Sequence, residues 1–290
     1  MARPMRKVAP PIPIIRDVAA LGRALAPWRA AGEAIALVPT MGAIHDGHIA
    51  LVRAARARAT RVVASLFVNP AQFVAGEDLD SYPGDEATDT LLLAAAGVEL
   101  LFAPAADEMY RPGFATTVAV SGLTESLCGA HRPGHFEGVA TVVTKLLIQC
   151  RPDFACFGEK DYQQLVVVKR LVRDLDLGVE IIAVPTARDA DGLALSSRNA
   201  YLTAGQRRIA PALYQTLVEA AAGLAGGADA AGEIERATAA LLDAGFDAVD
   251  YVALCDAESL EPVERVVRPA RLLAAVRLGT ARLIDNVAVD

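Results

Sequence analysis

The chain has few of the residues that build metal centres and disulfide frameworks. Its 290 residues include four cysteines and four histidines, and no two cysteines form a Cys-x-x-Cys pair. This spacing argues against zinc-ribbon and thioredoxin-like sites. We therefore expect the cysteines to be reduced thiols in a cytosolic protein, at positions Cys128, Cys150, Cys156 and Cys255.

The chain also lacks long apolar runs and an excess of positive charge. No apolar run reaches the ~20 residues that a membrane helix needs, and no apolar stretch of the signal-peptide kind follows Arg3, Arg6 and Lys7. A net charge of −7, with a pI near 5.2, argues against broad nucleic-acid binding. We predict a cytoplasmic protein that binds neither nucleic acid nor membrane, although a local basic cluster would still attract a small anion.

What is present is enough apolar sequence for two domains. Hydrophobic residues make up 53% of the chain and charged residues 22%, a balance that builds a sizeable core. Five apolar stretches alternate with helical patterns, which predicts an α/β fold with a doubly wound, Rossmann-like parallel sheet. The first predicted strand starts at Ile35 and ends at Pro39. The other four are Arg61–Val68, Val98–Ala103, Phe154–Phe157 and Val179–Val184. A short extended edge is also predicted at Thr116–Val120.

A change of pattern near Ala187 predicts a domain boundary. We assign residues 1–187 to the Rossmann-like domain and residues 188–290 to a smaller C-terminal α+β lid domain. The second domain should contain two alanine-rich helices, at 204–223 and 230–245, followed by three short strands. No motif that carries chemistry is visible beyond Leu202.

The segment Ile35–Ile49 organises the first domain. Its apolar run ends at a proline, a turn with Gly42 and Gly47 follows, and the pattern is then helical. A strand, a glycine turn and a helix start place unpaired N–H groups and the positive end of a helix dipole at one point, where phosphate binds well. His45 and His48 stand at this point.

Three interpretations of the two histidines are open. Their spacing of three residues could suit a metal, but no third ligand stands nearby at a typical spacing. They could also be two solvated side chains in an ordinary turn. In the third interpretation, their ring N–H groups hold the phosphates of ATP and stabilise the charge that develops as pyrophosphate leaves.

Two later segments carry groups suited to phosphate. In Gly158–Asp161, Asp161 could be an ordinary helix N-cap, but Lys160 would oppose the helix dipole unless an anion lay nearby. Leu195–Asn199 follows the turn dipeptide Asp191-Gly192 and has two hydroxyls and a guanidinium that can hold phosphate oxygens. The alternative for this second segment is a polar interdomain loop.

Several longer strings resemble one known family. Pro39–His48 and Leu195–Leu202 are similar to the two signatures of the HIGH-type nucleotidyltransferase superfamily, in the form found in pantothenate synthetases (pantoate–β-alanine ligases). The resemblance covers residues 37–202 and includes four further strings, Phe67–Phe73, Glu77–Pro83, Arg132–Phe136 and Phe157–Gln164. It implies an AMP-forming ligase, acting as a homodimer, that joins (R)-pantoate to β-alanine through a pantoyl adenylate. ATP is then a substrate and Mg²⁺ is expected with it, with protein ligands that the sequence does not identify.

The resemblance also implies roles for particular residues. Gln72 is expected to contact pantoate and β-alanine, Gln164 to contact pantoate, and the turn-rich segment 76–84 to form a flap. The implied catalytic residues are His45, His48, Lys160 and Arg198, with His48 as the usual proton donor. The implied ATP-binding residues are Met41, Gly42, Ala43, Ile44, His45, Asp46, Gly47, His48, Gly158, Glu159, Lys160, Asp161, Ala187, Leu195, Ser196, Ser197 and Arg198.

Two positions depart from the family pattern, and three rival functions are open. Gly84 stands where an arginine is common, and Ala187 where a larger aliphatic residue often packs near adenine. An adenylyltransferase acting on a phosphorylated substrate would need more cations than Gln72 and Gln164 supply. A class I aminoacyl-tRNA synthetase would need a basic tRNA-binding surface. A non-catalytic ATP-binding module is disfavoured by the presence of both histidines together with Lys160.

Overall fold

A computed structural model describes residues 12–289, so the predictions made from Arg3, Arg6 and Lys7 lie outside the described residues. The first part is a six-stranded parallel sheet of β1 (Ile14–Ile15), β2 (Ile35–Thr40), β3 (Arg61–Leu66), β4 (Leu100–Phe102), β5 (Phe154–Gly158) and β6 (Glu180–Val184). The helices between these strands are α1 (Val18–Ala30), α2 (Asp46–Arg58), α3 (Glu86–Ala96), α4 (Ala106–Met109), α5 (Cys128–His131), α6 (His135–Cys150) and α7 (Tyr162–Asp174). The five predicted strands are present, and the two-residue β1 was not predicted.

The strand order places the crevice of the sheet. Along the sheet the order is β1-β4-β3-β2-β5-β6. From β2 the chain runs to one side through β3 and β4, and it then returns to β5 on the other side. The connections therefore diverge between β2 and β5, and ligands of doubly wound sheets bind at such a switch point, outside the carboxyl ends of the strands.

The prediction that Pro39 ends β2 is wrong, since the strand continues to Thr40. β2 pairs with β3 as far as Thr40, but it pairs with β5 only at Ala36 and Leu37. The Thr40 carbonyl accepts a hydrogen bond from the Phe67 N–H, so the alternation of the strand directs the Pro39 backbone toward β5, beyond the last paired residues. Proline is tolerated there because no ladder donor is needed, and the crevice opens at this point.

Helices cover both faces of the sheet, as a doubly wound fold requires. On one face α1, α6 and α7 bury side chains such as Leu21, Leu147 and Leu165. On the other face α2 and α3 bury Val52 and Leu93. The strands are thus fixed from two sides, and the turns at their carboxyl ends form one rim.

Residues 188–289 pack around an antiparallel sheet of β7 (Ala248–Asp256), β8 (Ala270–Leu278) and β9 (Ala281–Val289), preceded by α8 (Ala204–Ile209), α9 (Ala212–Ala225) and α10 (Ala230–Asp243). The prediction of a single helix over 204–223 is wrong, because Pro211 lacks an N–H and separates α8 from α9. The extended edge predicted at Thr116–Val120 is also wrong. The Val118 N–H donates to Thr141 Oγ1 (2.9 Å) rather than to a neighbouring strand.

The four cysteines lie in the interior of the protein. All four cysteines are buried and free. Burial raises the pKa of Cys150 to about 12 and those of Cys156 and Cys255 to about 11, so these three thiols stay protonated and are poor nucleophiles. Within residues 12–289, no helix is long and apolar enough to cross a membrane.

Candidate active site

The turn after β2 is held by an acidic residue of α3. The Asp89 carboxylate accepts hydrogen bonds from the backbone N–H groups of Ala43 (2.9 Å) and Ile44 (2.8 Å). Gly42 has a φ of +93°, and a Cβ at this position would lie 2.9 Å from Asp89 Oδ2. The close approach of Asp89 therefore accounts for Gly42, and the N–H groups of Ala43 and Ile44 are already bonded within the protein.

The two histidines have a defined tautomer. His45 Nδ1 accepts from the Gly47 N–H (3.1 Å), and His48 Nδ1 accepts from the His45 N–H (3.3 Å), which gives a capping box at the start of α2. Because each Nδ1 is an acceptor, each neutral ring carries its proton on Nε2. The ring centroids are 4.2 Å apart, so two N–H donors stand side by side.

Both histidines are neutral at neutral pH. Burial lowers the pKa of His48 to about 3, and the neighbouring His45 adds to this effect. Burial also lowers the pKa of His45, and the charge of Lys160 adds to it. The rings are thus hydrogen-bond donors rather than cations. The metal interpretation finds no support, since residues 12–289 contain no group of three His, Cys, Asp or Glu that could hold a metal ion.

The C-terminal sheet fixes the turn after β5. Lys160 lies in a 3₁₀ turn, Glu159–Asp161, between β5 and α7. Asn286 of β9 donates to the backbone carbonyls of Glu159 (2.9 Å) and Lys160 (3.0 Å). Arg271 of β8 donates to the Glu159 carboxylate (2.9 Å). These bonds hold the turn from behind and leave the Lys160 side chain to line a cavity.

Lys160 forms only a loose ion pair within the protein. Its Nζ is 3.8 Å from Asp161 Oδ1, which is longer than a hydrogen bond. Asp161 is the N-cap residue of α7, as one interpretation of the sequence had it, but its side chain makes no capping hydrogen bond. The Lys160 side chain is 19% exposed, so water would screen a bound anion only in part.

The third predicted cluster joins the flap of residues 76–84. Ser196 is the N-cap of a 3₁₀ turn, Ser197–Tyr201. Arg198 makes a bidentate ion pair with Asp78 of the flap through Nη2 (2.9 Å) and Nε (3.1 Å). The Tyr82 hydroxyl, also of the flap, shares a hydrogen bond of 3.1 Å with Ser197 Oγ. The flap therefore packs on this turn.

Gln164, rather than its neighbour Gln163, lines the cavity. Gln163 is buried, with Oε1 accepting from the Cys128 N–H (3.0 Å) and Nε2 donating to the Leu123 carbonyl (2.9 Å). Gln72 lies in the 3₁₀ turn Pro70–Gln72 that follows β3 and lines the same cavity. The two predicted substrate-binding glutamines therefore share one cavity.

These groups meet in a cavity of about 240 Å³ between the ends of β2 and β5. The predicted site residues that line it are Met41, His45, Gly47, His48, Gln72, Gly158, Lys160, Asp161, Gln164, Ala187, Leu195, Ser196, Ser197 and Arg198. Five predicted ATP-binding residues do not line it, namely Gly42, Ala43, Ile44, Asp46 and Glu159. Ala43 and Ile44 border a neighbouring cavity on the side of α3.

Asn69 and an apolar wall of the cavity were not predicted from the sequence. Asn69 is 1% exposed; its Oδ1 accepts from the Tyr110 hydroxyl (2.7 Å), and its Nδ2 donates to Gln72 Oε1 (3.0 Å). The dipeptide Asn69-Pro70 after a strand was the available signal. The apolar wall looked like ordinary core in the sequence, and it consists of Phe67, Val139, Val142, Val143 and Leu146.

Arg132 and His135 also line the cavity and were absent from the predicted site. Arg132 Nη1 is 2.8 Å from His135 Nε2, and His135 Nδ1 is 2.7 Å from the Gln72 carbonyl. Burial lowers the pKa of His135 to about 4, and the charge of Arg132 adds to this. The neutral ring therefore accepts at Nε2 and donates from Nδ1. The string Arg132–Phe136, one of those that resemble the family, was the available signal for both residues.

The family model described as pantoate-beta-alanine ligase matches residues 13–288. This chain belongs to the pantoate-beta-alanine ligase family. It is similar to the pantothenate synthetase of Paramagnetospirillum magneticum, with 58% identity over 277 residues, which are 96% of this chain and 98% of that protein. The pantothenate synthetase of Rhizorhabdus wittichii is 57% identical over 277 residues, with the same coverage of 96% and 98%.

Solved structures share the whole fold. The crystal structure of pantothenate synthetase from Thermus thermophilus matches with a TM-score of 0.89 and 48% identity, over 96% of this chain and 99% of that chain. The pantoate-beta-alanine ligase from Francisella tularensis, complexed with beta-gamma ATP and beta-alanine, matches with a TM-score of 0.80 and 32% identity, over 95% and 97% of the two chains. The predicted fold class and the predicted ligase function are confirmed, and the chain is an ATP-dependent pantoate–β-alanine ligase.

Proposed function

We propose that this ligase condenses (R)-pantoate with β-alanine in two half-reactions, through a pantoyl adenylate, in the cavity between β2 and β5. The observation that carries the proposal is that phosphate-binding donors and acid-positioning amides line the same cavity. A nucleotide and an acid bound there would be in contact, as a transfer between them requires.

The phosphates of ATP are assigned to two turns that follow neighbouring strands. His45 and His48 offer Nε2–H donors after β2, and Lys160 offers a cation after β5. Because β2 and β5 are paired, these turns can hold one triphosphate from two sides. Two hydroxyls and a guanidinium complete the phosphate site, from Ser196, Ser197 and Arg198. Adenine is assigned to the backbone near Ala187, where a methyl side chain leaves room.

Pantoate is assigned to the glutamines and the apolar wall. Its carboxylate and hydroxyls suit the amides of Gln72 and Gln164, which orient an anion without adding negative charge. Its geminal dimethyl group suits the wall that includes Val142 and Val143. The carboxylate then lies beside the phosphate donors.

The chemistry balances in two displacements. A pantoate carboxylate oxygen attacks the α-phosphorus of ATP, and the bond from this phosphorus to the bridging oxygen breaks, releasing pyrophosphate. The amine nitrogen of β-alanine then attacks the acyl carbon, the bond to the AMP oxygen breaks, and the amine loses a proton. Lys160, Arg198 and the two histidines stabilise the negative charge that develops on the phosphates.

His48 is assigned first as a neutral hydrogen-bond donor. Its pKa of about 3 in the ligand-free protein means that the ring carries no second proton at neutral pH before nucleotide binds. In that state it has no proton to give to pyrophosphate. A bound triphosphate places negative charge beside the ring and raises the pKa. The proton-donor role implied for His48 therefore depends on bound nucleotide.

Mg²⁺ is proposed to arrive on the phosphates, as part of the nucleotide substrate. The described residues supply hydrogen-bond donors and cations to the phosphates rather than a three-ligand metal cluster. We further propose that the enzyme works in the cytoplasm, and that the chain divides near residue 187 into the nucleotide- and pantoate-binding domain (1–187) and the lid domain (188–290).

A homodimer through the first domain is also proposed. In support, Phe114 and Ile148 are 41% and 55% exposed although both are large and apolar. Light scattering at micromolar concentration should give twice the 30.4 kDa chain mass. A mass of one chain would contradict the proposal.

An isotope experiment tests the adenylate. Pantoate labelled with ¹⁸O in its carboxylate should pass one labelled oxygen into AMP, because that oxygen becomes bonded to the α-phosphorus. Pyrophosphate should also form without β-alanine, in a burst of about one per active site. Unlabelled AMP would mean that condensation is direct and would overturn the proposed route, even if the product is pantothenate.

A further inference from the structure

We propose that Glu77 and Asp78 are positioning residues that latch the flap of residues 76–84 over the cavity by holding one arginine each, Arg132 and Arg198. The inference rests on the proposed function, since it gives these carboxylates a part in the same reaction. Two adjacent residues of one flap thus reach two different sides of the site.

On the phosphate side, Asp78 fixes the direction of Arg198. The pair is bidentate, with Nη2 and Nε at 2.9 and 3.1 Å from the carboxylate oxygens, and the Tyr201 hydroxyl donates to the same carboxylate at 3.1 Å. The two side chains are 27% and 19% exposed. Because Asp78 occupies one edge of the guanidinium, the Nη1 group remains to donate to a phosphate.

Asp78 stays ionised in this position. Burial opposes ionisation, but the hydrogen bonds and charge of Arg198 outweigh it and hold the pKa of Asp78 below its usual value. Without the carboxylate, the guanidinium would lose its partner and could turn to other rotamers. Asp78 therefore orients Arg198 before the nucleotide arrives.

On the side of the cavity assigned to pantoate, a chain of hydrogen bonds links Glu77 to Gln72. Arg132 donates to the two Glu77 oxygens from Nε (2.5 Å) and Nη2 (2.8 Å), and the pair is partly buried, with side chains 14% and 21% exposed. Arg132 in turn donates to His135, and His135 donates to the Gln72 carbonyl. These hydrogen bonds fix the position of the backbone of Gln72, one of the two residues assigned to pantoate.

The latch has a consequence for the intermediate. Two adjacent carboxylates repel each other, and the two arginines offset this repulsion when the flap lies on the cavity. A flap held at both points excludes water from the cavity, and water would otherwise hydrolyse the mixed anhydride. The two ion pairs thereby protect the adenylate until β-alanine attacks.

The test compares Glu77→Gln and Asp78→Asn with a matched control, Asp80→Asn. Asp80 belongs to the same flap, is exposed, and forms no ion pair with any residue in 12–289. Asp78→Asn should raise KM for ATP by about tenfold, the scale of a lost hydrogen bond to a charged group, and leave KM for pantoate nearly unchanged. Glu77→Gln should instead raise KM for pantoate by about tenfold and leave KM for ATP nearly unchanged. Both variants should form more AMP than pantothenate, whereas the control should keep the two equal.

A second measurement needs no catalysis. Hydrogen exchange of the flap amides in the substrate-free enzyme should be about tenfold faster in both variants than in the control, with the core strands unchanged. If the unmodified enzyme made no pantothenate, the proposed function would fail while the exchange result would still report on the ion pairs. Unchanged exchange, or a lower melting temperature with unaltered KM values and product ratio, would overturn the latch.

Discussion

Replacement of Lys160 by alanine should remove most of the activity and leave the fold intact. Arg132 and Arg198 are each engaged by a flap carboxylate, whereas Lys160 Nζ is 3.8 Å from the carboxylate beside it. Lys160 therefore has the largest share of uncompensated charge for the phosphates. Its turn is held through backbone carbonyls by Asn286, so truncation of the side chain leaves those bonds in place.

Two estimates of the loss agree. A unit charge ~4 Å from a phosphate oxygen, at an effective dielectric constant of about 20, contributes roughly 4 kcal/mol. The partial exposure of the lysine reduces this value. Loss of one positioned donor to transition-state charge costs about 10²–10³ in rate, which is about 3–4 kcal/mol. We expect kcat/KM for ATP to fall by about 10²–10³.

The assay is initial-rate AMP formation with ATP, pantoate and β-alanine, together with thermal unfolding of each variant. Lys169→Ala is the matched control, because Lys169 is exposed on α7, the helix that follows the same turn. We expect normal turnover in the control and an unchanged melting temperature in both variants. Near-normal turnover of Lys160→Ala would refute the assignment of this charge to the phosphates.

Two further predictions concern stability. The fold lowers the pKa of His48 to about 3 and that of His135 to about 4, from an ordinary value of 6.5. As pH falls, the unfolded chain therefore binds protons at these two rings before the folded chain does. The free energy of unfolding should then fall as pH drops from about 6.5 toward 4. His135→Gln should remove on the order of 3 kcal/mol of that pH dependence, measured by denaturant unfolding, and an unaltered slope would contradict the assignment. A Cβ at Gly138 would clash with the backbone carbonyl of Ala71, next to Gln72, so Gly138→Ala should destabilise the protein by about 1–3 kcal/mol and weaken pantoate binding. Gly22→Ala is its control, since nothing lies within 4 Å of that position, and equal stability of the two variants would count against the clash.

The sequence by itself determined the layout of the site. The strand, turn and helix around Gly42 and His48, and the later turn with Lys160, are local patterns of hydropathy and glycine. Parallel strands bring such turns to one rim wherever they pair. The prediction of a shared phosphate site therefore needed the α/β pattern and no exact strand order.

The tertiary structure decided which neighbours face a ligand. Gln163 and Gln164 are adjacent and chemically identical. The orientation of α7 buries Gln163 against the Leu123 carbonyl and directs Gln164 into the cavity. The backbone N–H groups near Gly42 looked free for phosphate, but those of Ala43 and Ile44 already donate to Asp89, which lies 46 residues beyond Ala43 in the chain. Such pairings depend on side-chain positions that local sequence does not encode.

The same limit explains what the sequence did not show of the flap and of the C-terminal part. Glu77 and Asp78 begin one of the strings that resemble the family, and Asn286 has no motif around it, but each of the three acts through a partner 55 or more residues away. Charge and hydrogen-bonding capacity can be read from each residue alone. Which arginine a carboxylate meets, and which carbonyl an amide reaches, follows only from the packing of the flap and of β9 against the rim of the parallel sheet.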